Sequence, residues 1–355
     1  MQTDPDACGG GAPLDDLGRD ILDQPRSLRD TLNGVEAGGR LAEAASRLAA
    51  ARRVLWTGMG ASLYALYPAY LRYLDAGGAG TWIETGELVH HAASRLGPDT
   101  VVLCASQSGR SAEVVRLAEA TGDAGAGLLA ITNAPNSPLG RAATLTLALA
   151  AGPEAGCATK THTSTLAAAD ALAAAAAGQS DARARWEAAA MALQQLSDAR
   201  GQWLPDLARR MATAQHLWLL GRGPSLAAAL GGALMLKESN RLHCEGMSVP
   251  AFRHGPLEGA LPGRHALLFV SPGDIGRLDL DLAEELAGYG MEVATLMPGR
   301  PSETEIPSIV LPSTPAGTEP LLNVAVVQWL GHALALRRGA VPGHFERIEK
   351  VTTRE

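Results

Sequence analysis

Short apolar runs alternate with helical periodicity along this chain, and the whole pattern occurs twice. An apolar run leads through G-x-G-x-S-L into a helix, first in VLWTGMGASLYAL from Val54 and again in LWLLGRGPSLAAAL from Leu217. In both halves, a second strand that ends near a serine, a helix, two further strands and a long helix follow. Continuous apolar runs of this length are typical of parallel strands buried on both faces. We therefore expect an α/β fold with two tandem domains, each a doubly wound parallel sheet flanked by helices.

The repeat also sets the expected domain boundaries. Residues 1–38 should form a tail and a helix, with disorder up to about residue 15 because that stretch is acidic and Gly-rich. Residues 39–190 and 200–340 should be the two α/β domains, joined by a helical connector. Residues 341–355 would then form a C-terminal tail.

Composition and charge narrow the class of protein. A chain of 355 residues with 46% hydrophobic and 19% charged residues is typical of a soluble globular protein of two domains. The net charge of −7, with no basic stripe, argues against nucleic acid as a partner. We find no basic and apolar leader and no membrane-length apolar run, so we expect a cytoplasmic location and no membrane partner. Four cysteines without a CxxC pair indicate reduced thiols.

The stretch CASQSGRSAE places several short polar side chains where a buried strand should end and a helix begin. Ser106, Gln107, Ser108 and Ser111 would lie beside the free N–H groups of the first helical turn, which attract anions. Ser62, in the first G-x-G turn, could add a hydroxyl to the same anion. We therefore predict a phosphate-binding loop, with simple helix capping by one serine as the alternative.

In the second half, the informative stretch is LKESNRLHCEGMSVPAFRHGPLEG. Glu238 should lie on a largely apolar helix, where a carboxylate either meets a partner or serves as a base. His254 precedes Gly-Pro and should lie on a turn. The alternatives are that Glu238 pairs with Lys237 or Arg241 on a solvated face, and that the histidine is structural.

We predict no metal site and no cofactor. His243, Cys244 and Glu245 are adjacent in sequence and do not converge on one ion, and no second ligand pair is suitably spaced. The cluster of Glu87, His90 and His91 does not have the H-E-x-x-H order of a zinc helix.

Four motifs together resemble the SIS (sugar isomerase) family: SQSGRSAE, FRHGPLEG, MLKESNRLHCEG and RDILDQPRSLRDTL. The likeness is to the isomerase half of glutamine:fructose-6-phosphate aminotransferase and to stand-alone aminosugar-phosphate deaminases and isomerases. It runs from about Asp20 to the last residue. The resemblance implies two tandem SIS domains, the first of them phosphate-binding, and a C-terminal tail that contributes to the active site.

The resemblance also assigns the substrate-binding residues. It implies that Ser106, Gln107, Ser108 and Ser111 bind the sugar phosphate together with Ser62. The segment GCATKTHT resembles the family's Val-Ala-Ser-Thr-Lys segment, which borders the sugar. This implies a sugar pocket lined by Cys157, Ala158 and Thr159.

Three catalytic residues follow from the same resemblance. Glu238 corresponds to the glutamate that moves a proton between C1 and C2, and His254 to the histidine that opens the sugar ring. In the family this histidine comes from the neighbouring subunit, so a homodimer with shared active sites is expected. Lys350, in ERIEKVTTRE, corresponds to the lysine that forms a Schiff base with the C2 ketone.

The chain also departs from the family pattern. Met235 stands where the synthases commonly have a lysine near the reaction centre, and one threonine replaces the paired serine and threonine of the sugar segment. The chain shows no glutaminase half and no N-terminal nucleophilic cysteine. We therefore expect glutamine not to be the ammonia source.

These observations predict a sugar-phosphate aldose–ketose isomerase or deaminase that acts on an aminosugar or hexose 6-phosphate. The model reaction converts glucosamine 6-phosphate to fructose 6-phosphate. Two alternatives remain: a non-catalytic phosphosugar sensor, and a deglycase for sugar-amine 6-phosphates.

Overall fold

The computed structural model describes residues 14–301 and 303–354. The stretch predicted to be disordered therefore lies almost entirely outside the described residues. The first half contains α1 (Asp16–Leu22), α2 (Gln24–Glu36), α3 (Arg40–Ala50), β1 (Arg53–Gly58), α4 (Ala61–Asp75), β2 (Gly80–Glu84), α5 (Thr85–His91), β3 (Thr100–Ala105), α6 (Ala112–Ala124), β4 (Gly127–Thr132), α7 (Pro138–Ala142), β5 (Leu145–Ala148) and α8 (Lys160–Ala176). The second half contains α9 (Ala182–Asp198), α10 (Arg200–Met211), β6 (His216–Gly221), α11 (Leu226–Asn240), β7 (His243–Ser248), α12 (Val249–Arg253), β8 (His265–Phe269), α13 (Gly276–Gly288), β9 (Glu292–Pro298), β10 (Ser308–Leu311) and α14 (Glu319–Arg337).

The chain divides into two compact units, each built on one sheet. The first unit comprises residues 26–154, 158–187 and the tail from Glu346, and the second comprises the described residues up to Pro25, residues 155–157 and residues 188–345. The first sheet has the order β2-β1-β3-β4-β5 and the second the order β10-β9-β8-β6-β7. All strand pairs in both sheets are parallel. The predicted α/β fold with parallel sheets is confirmed. Listed from its other edge, the second sheet has the order β7-β6-β8-β9-β10, which is the order of the first sheet repeated with the strands of the second half.

Helices cover both faces of the first sheet. Successive side chains of a strand point to opposite faces, and two separate apolar clusters result. One cluster packs Trp56 and Leu103 against residues of α3, α4 and α8. The other packs Val102 and Cys104 against residues of α5, α6 and α7. Each large apolar side chain buried in this way contributes about 1.5–3 kcal/mol, which explains why the central strands are continuously apolar.

Two strands were missed by the sequence pattern, and both are edge strands. β2 and β7 each form an outer strand and mix polar with apolar residues, and their side chains are largely half-buried. In β7, a Cβ at Gly246 would lie 2.3 Å from the carbonyl oxygen of Ala229, because α11 rests directly on this strand. The short, glycine-containing strand is thus identified by its packing and not by its hydrophobic pattern.

The cysteines support the expectation of reduced thiols. Cys104, Cys157 and Cys244 are free and buried. Burial raises the pKa of the Cys104 and Cys244 thiols to about 12, so neither is a reactive thiolate at neutral pH. Among the described helices, none is long and apolar enough to cross a membrane.

Candidate functional site

The serine loop, residues 106–111, joins the end of β3 to the start of α6. Ser106 Oγ accepts a hydrogen bond from the Gly109 amide at 3.1 Å, and Ser108 Oγ accepts one from the Arg110 amide at 3.3 Å. Ser111 occupies the N-cap position of α6 in an extended conformation, but its side chain makes no capping hydrogen bond in the described structure. Capping therefore does not account for the serines. Ser106 and Ser108 shape the loop. The Ser111 hydroxyl lies at the start of α6 but does not cap the helix.

Gly109 fixes the path of this loop. Its φ is +59°, and a Cβ there would lie 2.0 Å from Ser137 Oγ. The Gly109 carbonyl accepts a hydrogen bond from the Leu139 amide at 3.2 Å, and the Gln107 carbonyl accepts one from the Asn133 amide at 3.2 Å. The loop is thus tied to the turn that follows β4, and only glycine fits at its closest approach.

Ser62 lies on the neighbouring turn, after β1. The ends of β1 and β3 are in register, with Gly58 opposite Ala105, so both turns leave the same edge of the sheet. Ser62 is half-buried in the first turn of α4. The residue before Ser62 links this turn to α8, because the carbonyl oxygen of Ala61 lies 3.1 Å from His162 Nδ1 in the first turn of that helix. Ser62 is therefore positioned on the sheet edge that carries the serine loop.

The predicted sugar segment surrounds a glutamate that the sequence analysis overlooked. Glu154 Oε1 accepts hydrogen bonds from the Thr159 amide at 2.9 Å and the Thr159 hydroxyl at 3.2 Å. Its two oxygens also accept from the Thr161 amide at 2.9 Å and the Thr161 hydroxyl at 2.8 Å. The Thr159 hydroxyl therefore donates its hydrogen bond to Glu154. Ala158 is half-buried, and Cys157, which belongs to the second unit, is buried.

Lys350 contacts the same glutamate. Its Nζ donates to the Glu154 main-chain carbonyl and lies 3.3 Å from Glu154 Oε2. Two residues further on, the Thr352 carbonyl accepts a hydrogen bond from the Ala112 amide, at the start of α6, at 3.2 Å. The first unit therefore brings the tail lysine to the sugar segment and the tail backbone to the helix that follows the serine loop.

Glu238 and His254 belong to the second unit. As predicted, Glu238 lies on a helix, α11, and His254 lies on the turn after α12. Glu238 is half-buried and His254 is exposed. Met235, which replaces the lysine of the family pattern, is 3% exposed, and its Sδ lies against Gly331 of α14. At this position the chain therefore has a buried methionine where the family pattern has a lysine.

The second unit has a turn equivalent to the serine loop, between β8 and α13, but its electrostatics differ. The Ser271 amide donates to the buried carboxylate of Asp279 at 2.9 Å, and this carboxylate also accepts from Arg222 Nε at 3.0 Å. In the second unit, therefore, the Asp279 carboxylate already accepts the hydrogen bond of the Ser271 amide just after the end of β8. This contrast favours the first unit as the place for an external anion.

Titratable groups form no metal cluster in the described ranges. No group of three or more His, Cys, Asp or Glu side chains there has a geometry that could hold an ion. His243 of β7 instead stacks on His216 of β6, with ring centroids 4.5 Å apart.

His162 should make stability depend on pH. Burial lowers its pKa to about 4, and the Ala61 carbonyl and the Glu154 charge only partly oppose this. Between pH 6.5 and about 4 the unfolded chain binds a proton that the folded chain does not, so this contribution to stability is present above pH 6.5 and is lost as the pH falls. We expect the stability lost through His162 to approach about 3 kcal/mol once the pH has fallen to about 4.

Urea unfolding at a series of pH values tests this expectation. His162→Gln should flatten the dependence of the unfolding free energy on pH in this window, whereas substitution of the exposed His91 by glutamine should not change it. Equal slopes for the wild type and His162→Gln would contradict the prediction.

Comparison with known proteins relates the first sheet to a known domain family. Residues 47–175 match the family model of the SIS domain. This segment includes β1 to β5, the serine loop and all of α8 except its last residue.

Individual relatives extend the similarity to nearly the whole chain. The chain is 27% identical over 349 residues to the isomerizing glutamine–fructose-6-phosphate aminotransferase of Thermococcus kodakarensis, an alignment that covers 95% of this chain and 58% of the relative. The chain thus spans less than two thirds of the length of that relative.

Two solved structures have the same fold. The C-terminal domain of glucosamine-fructose-6-phosphate aminotransferase from Francisella tularensis aligns with a TM-score of 0.82 at 19% identity, covering 93% of this chain and 98% of that one. Glucosamine-6-phosphate deaminase from Thermotoga maritima aligns with a TM-score of 0.74 at 21% identity, covering 96% and 100%. At these identities, the structures establish the fold of the chain.

Proposed function

We propose that the chain is a sugar-phosphate aldose–ketose isomerase that releases ammonia when its substrate is a 2-amino sugar 6-phosphate. The observation that carries this proposal is the position of Lys350, whose amine is held at Glu154 in the unit that bears the serine loop. This contact holds a primary amine beside the predicted sugar segment. The shared strand order of the two sheets supports a second SIS domain in the second unit.

The serine loop would bind the phosphate. Ser111 lies at the N-terminus of α6, where the helix dipole favours an anion, and the neighbouring Ala112 amide already donates to the Thr352 carbonyl. Ser106, Gln107 and Ser108 shape the loop, and Ser62 supplies a hydroxyl from the neighbouring turn. Each charge-assisted hydrogen bond contributes about 1.5–3 kcal/mol, so three or four would hold a phosphate monoester.

Lys350 would supply the reactive amine. Its nitrogen adds to the C2 carbonyl of the open-chain ketose, the carbonyl oxygen leaves as water, and an imine remains. The imine draws electrons from the neighbouring C–H bond, so a carboxylate can remove its proton. We assign this proton transfer between C1 and C2 to Glu238.

His254 would open the sugar ring, acting from the partner subunit of a homodimer. Its exposure on a turn is compatible with this role, since an exposed side chain is available to a second chain. In the sugar segment, Cys157, Ala158 and Thr159 would border the substrate. With a 2-amino aldose, Glu238 would first move the C2 proton to C1, which converts the C1 aldehyde to an alcohol and the C2 amine to an imine. The Lys350 amine then adds to this C2 imine and ammonia leaves, and hydrolysis of the resulting lysine imine yields the ketose. The sum is glucosamine 6-phosphate plus water giving fructose 6-phosphate plus ammonia.

Incubation with glucosamine 6-phosphate tests the proposal. We expect ammonia and fructose 6-phosphate in equal amounts, and no reaction with glucosamine, which lacks the phosphate. An amino-acid adduct of fructose 6-phosphate, assayed in parallel, tests for deglycase activity. Thermal stabilisation by the sugar phosphates without turnover of any of them would overturn the catalytic proposal and indicate a sensor.

A further inference from the structure

Residues outside the tail supply four of the hydrogen bonds that hold Glu154. Its side chain is only 1% exposed, and four hydrogen-bond donors from Thr159 and Thr161 surround its carboxylate. These donors lie at the start of α8, where the positive end of the helix dipole adds to the stabilisation of a negative charge. The carboxylate is therefore a fixed acceptor, already oriented when the tail arrives.

Two contacts of the tail in the first unit lie close to its end. Residues 346–350 are exposed and lie in no helix or strand. The Thr352 carbonyl bonds to the Ala112 amide, and Lys350 makes the charged contact with Glu154. The Lys350 side chain is 30% exposed, whereas its partner carboxylate is almost fully buried. A buried carboxylate that meets a partly exposed ammonium gives this contact more directional strength than a surface ion pair has.

We propose that Glu154 is the positioning residue of the reactive amine: it docks the C-terminal tail and orients Lys350 Nζ for attack on the sugar carbonyl. This inference rests on the proposed function. The Lys350 nitrogen has two acceptors here, the Glu154 main-chain oxygen and Oε2. Two of the three N–H bonds of the ammonium match these two acceptors, and loss of the third proton to solvent leaves a lone pair for the carbonyl carbon.

A helix-capping role alone would have different consequences. If Glu154 only stabilised α8, its replacement would lower the stability but would leave the chemistry of the folded fraction unchanged. If it positions Lys350, replacement should slow imine formation in folded protein, because a displacement of about 1 Å can cost roughly a hundredfold in rate. It should also reduce kcat and kcat/KM together.

The experiment compares the wild type with Glu154→Gln and Glu154→Asp by borohydride trapping of fructose 6-phosphate, scored by mass spectrometry. We expect the trapping rate to fall about 10- to 100-fold in Glu154→Gln and by less in Glu154→Asp, which keeps the charge on a shorter arm. The matched control is Glu349→Gln, which removes an exposed carboxylate beside Lys350 in the tail. This control should trap at the wild-type rate.

Equal trapping by the wild type and Glu154→Gln would overturn the proposal, as would an equal loss in Glu349→Gln. If Glu154→Gln does not fold, equal rates for the wild type and Glu154→Asp would overturn it.

A second readout needs no substrate and separates this proposal from the proposed function. Trypsin cleaves after Arg347 and Lys350, and cleavage of a docked tail requires its release. We expect cleavage of the tail to be roughly tenfold faster in the Glu154 variants than in the wild type or Glu349→Gln. If the wild type traps no sugar but shows this protection, the proposed function fails and tail docking stands. Equal cleavage of all variants would refute the docking by Glu154.

Discussion

Replacement of Lys350 by alanine should reduce the formation of ammonia and fructose 6-phosphate from glucosamine 6-phosphate by about a thousandfold or more. Lys350 is the only lysine after Arg337, so the tail offers no second primary amine for an imine. The folded state should survive, because this side chain is partly exposed and belongs to a tail segment that lies in no helix or strand, and because Thr159 and Thr161 still bind the Glu154 carboxylate in the variant. Product formation is measured by a coupled ammonia assay, and folding by thermal unfolding.

Lys350→Arg is the matched control for charge. Arginine can keep the contact with Glu154, but its guanidinium stays protonated and forms no imine. It should therefore be as inactive as alanine while both variants retain stabilisation by fructose 6-phosphate. Activity above about a tenth of the wild-type rate in either variant would show that Lys350 is not the nucleophile.

Gly109→Ala should be the most damaging small substitution in the serine loop. The new Cβ would meet Ser137 Oγ at 2.0 Å while the backbone stays in the left-handed region. Strain and overpacking together should cost about 2–5 kcal/mol of unfolding free energy. Because the loop must move to relieve this clash, the affinity for sugar phosphates should fall about a hundredfold or more.

The control for Gly109 lies at the other end of the same helix. Gly125 also has a positive φ, +67°, but a Cβ there would come no closer than 3.9 Å to Pro98. Gly125→Ala should therefore cost only about 1 kcal/mol and leave sugar-phosphate binding unchanged. Urea unfolding and titration with fructose 6-phosphate measure both effects. Similar losses in the two variants would contradict the steric explanation.

The central strands were predictable from sequence, and the edge strands were not. β3, β4, β6 and β8 are apolar because both of their faces are covered, and this pattern appears directly in the chain. β2 and β7 lie at sheet edges, where hydrogen bonding to one neighbour allows polar residues. β7 begins at His243, three residues after the end of α11. Its first residues, His243, Cys244 and Glu245, were considered only as candidate metal ligands.

The serine loop was likewise predictable because all of its members are neighbours in sequence. The partner of Lys350 was not, since 196 residues separate it from Glu154. A signal was present in the sequence: a glutamate lies two residues before the segment GCATKTHT. Its role depends on the two threonines at the start of α8, the N-cap Thr159 and Thr161, that bind its carboxylate, and those contacts appear only in the folded chain.

Met235 shows how far a family pattern can be transferred. The sequence identifies the missing lysine, but only the packing of the methionine against α14 explains how the chain tolerates the change. A lysine there would need its charge to reach solvent or a carboxylate. The proton transfer assigned to Glu238 must therefore proceed without that neighbouring positive charge.

Borohydride reduction in the presence of fructose 6-phosphate, followed by tryptic mapping, tests the central claim most directly. The claim is that Lys350 forms an imine with the sugar. Trypsin does not cut after a modified lysine, so the account predicts that the sugar adduct appears on the peptide from Ile348 to Arg354, and that it is absent from Lys350→Ala. An adduct on another lysine, or no adduct in a protein that does convert the sugar, would contradict it.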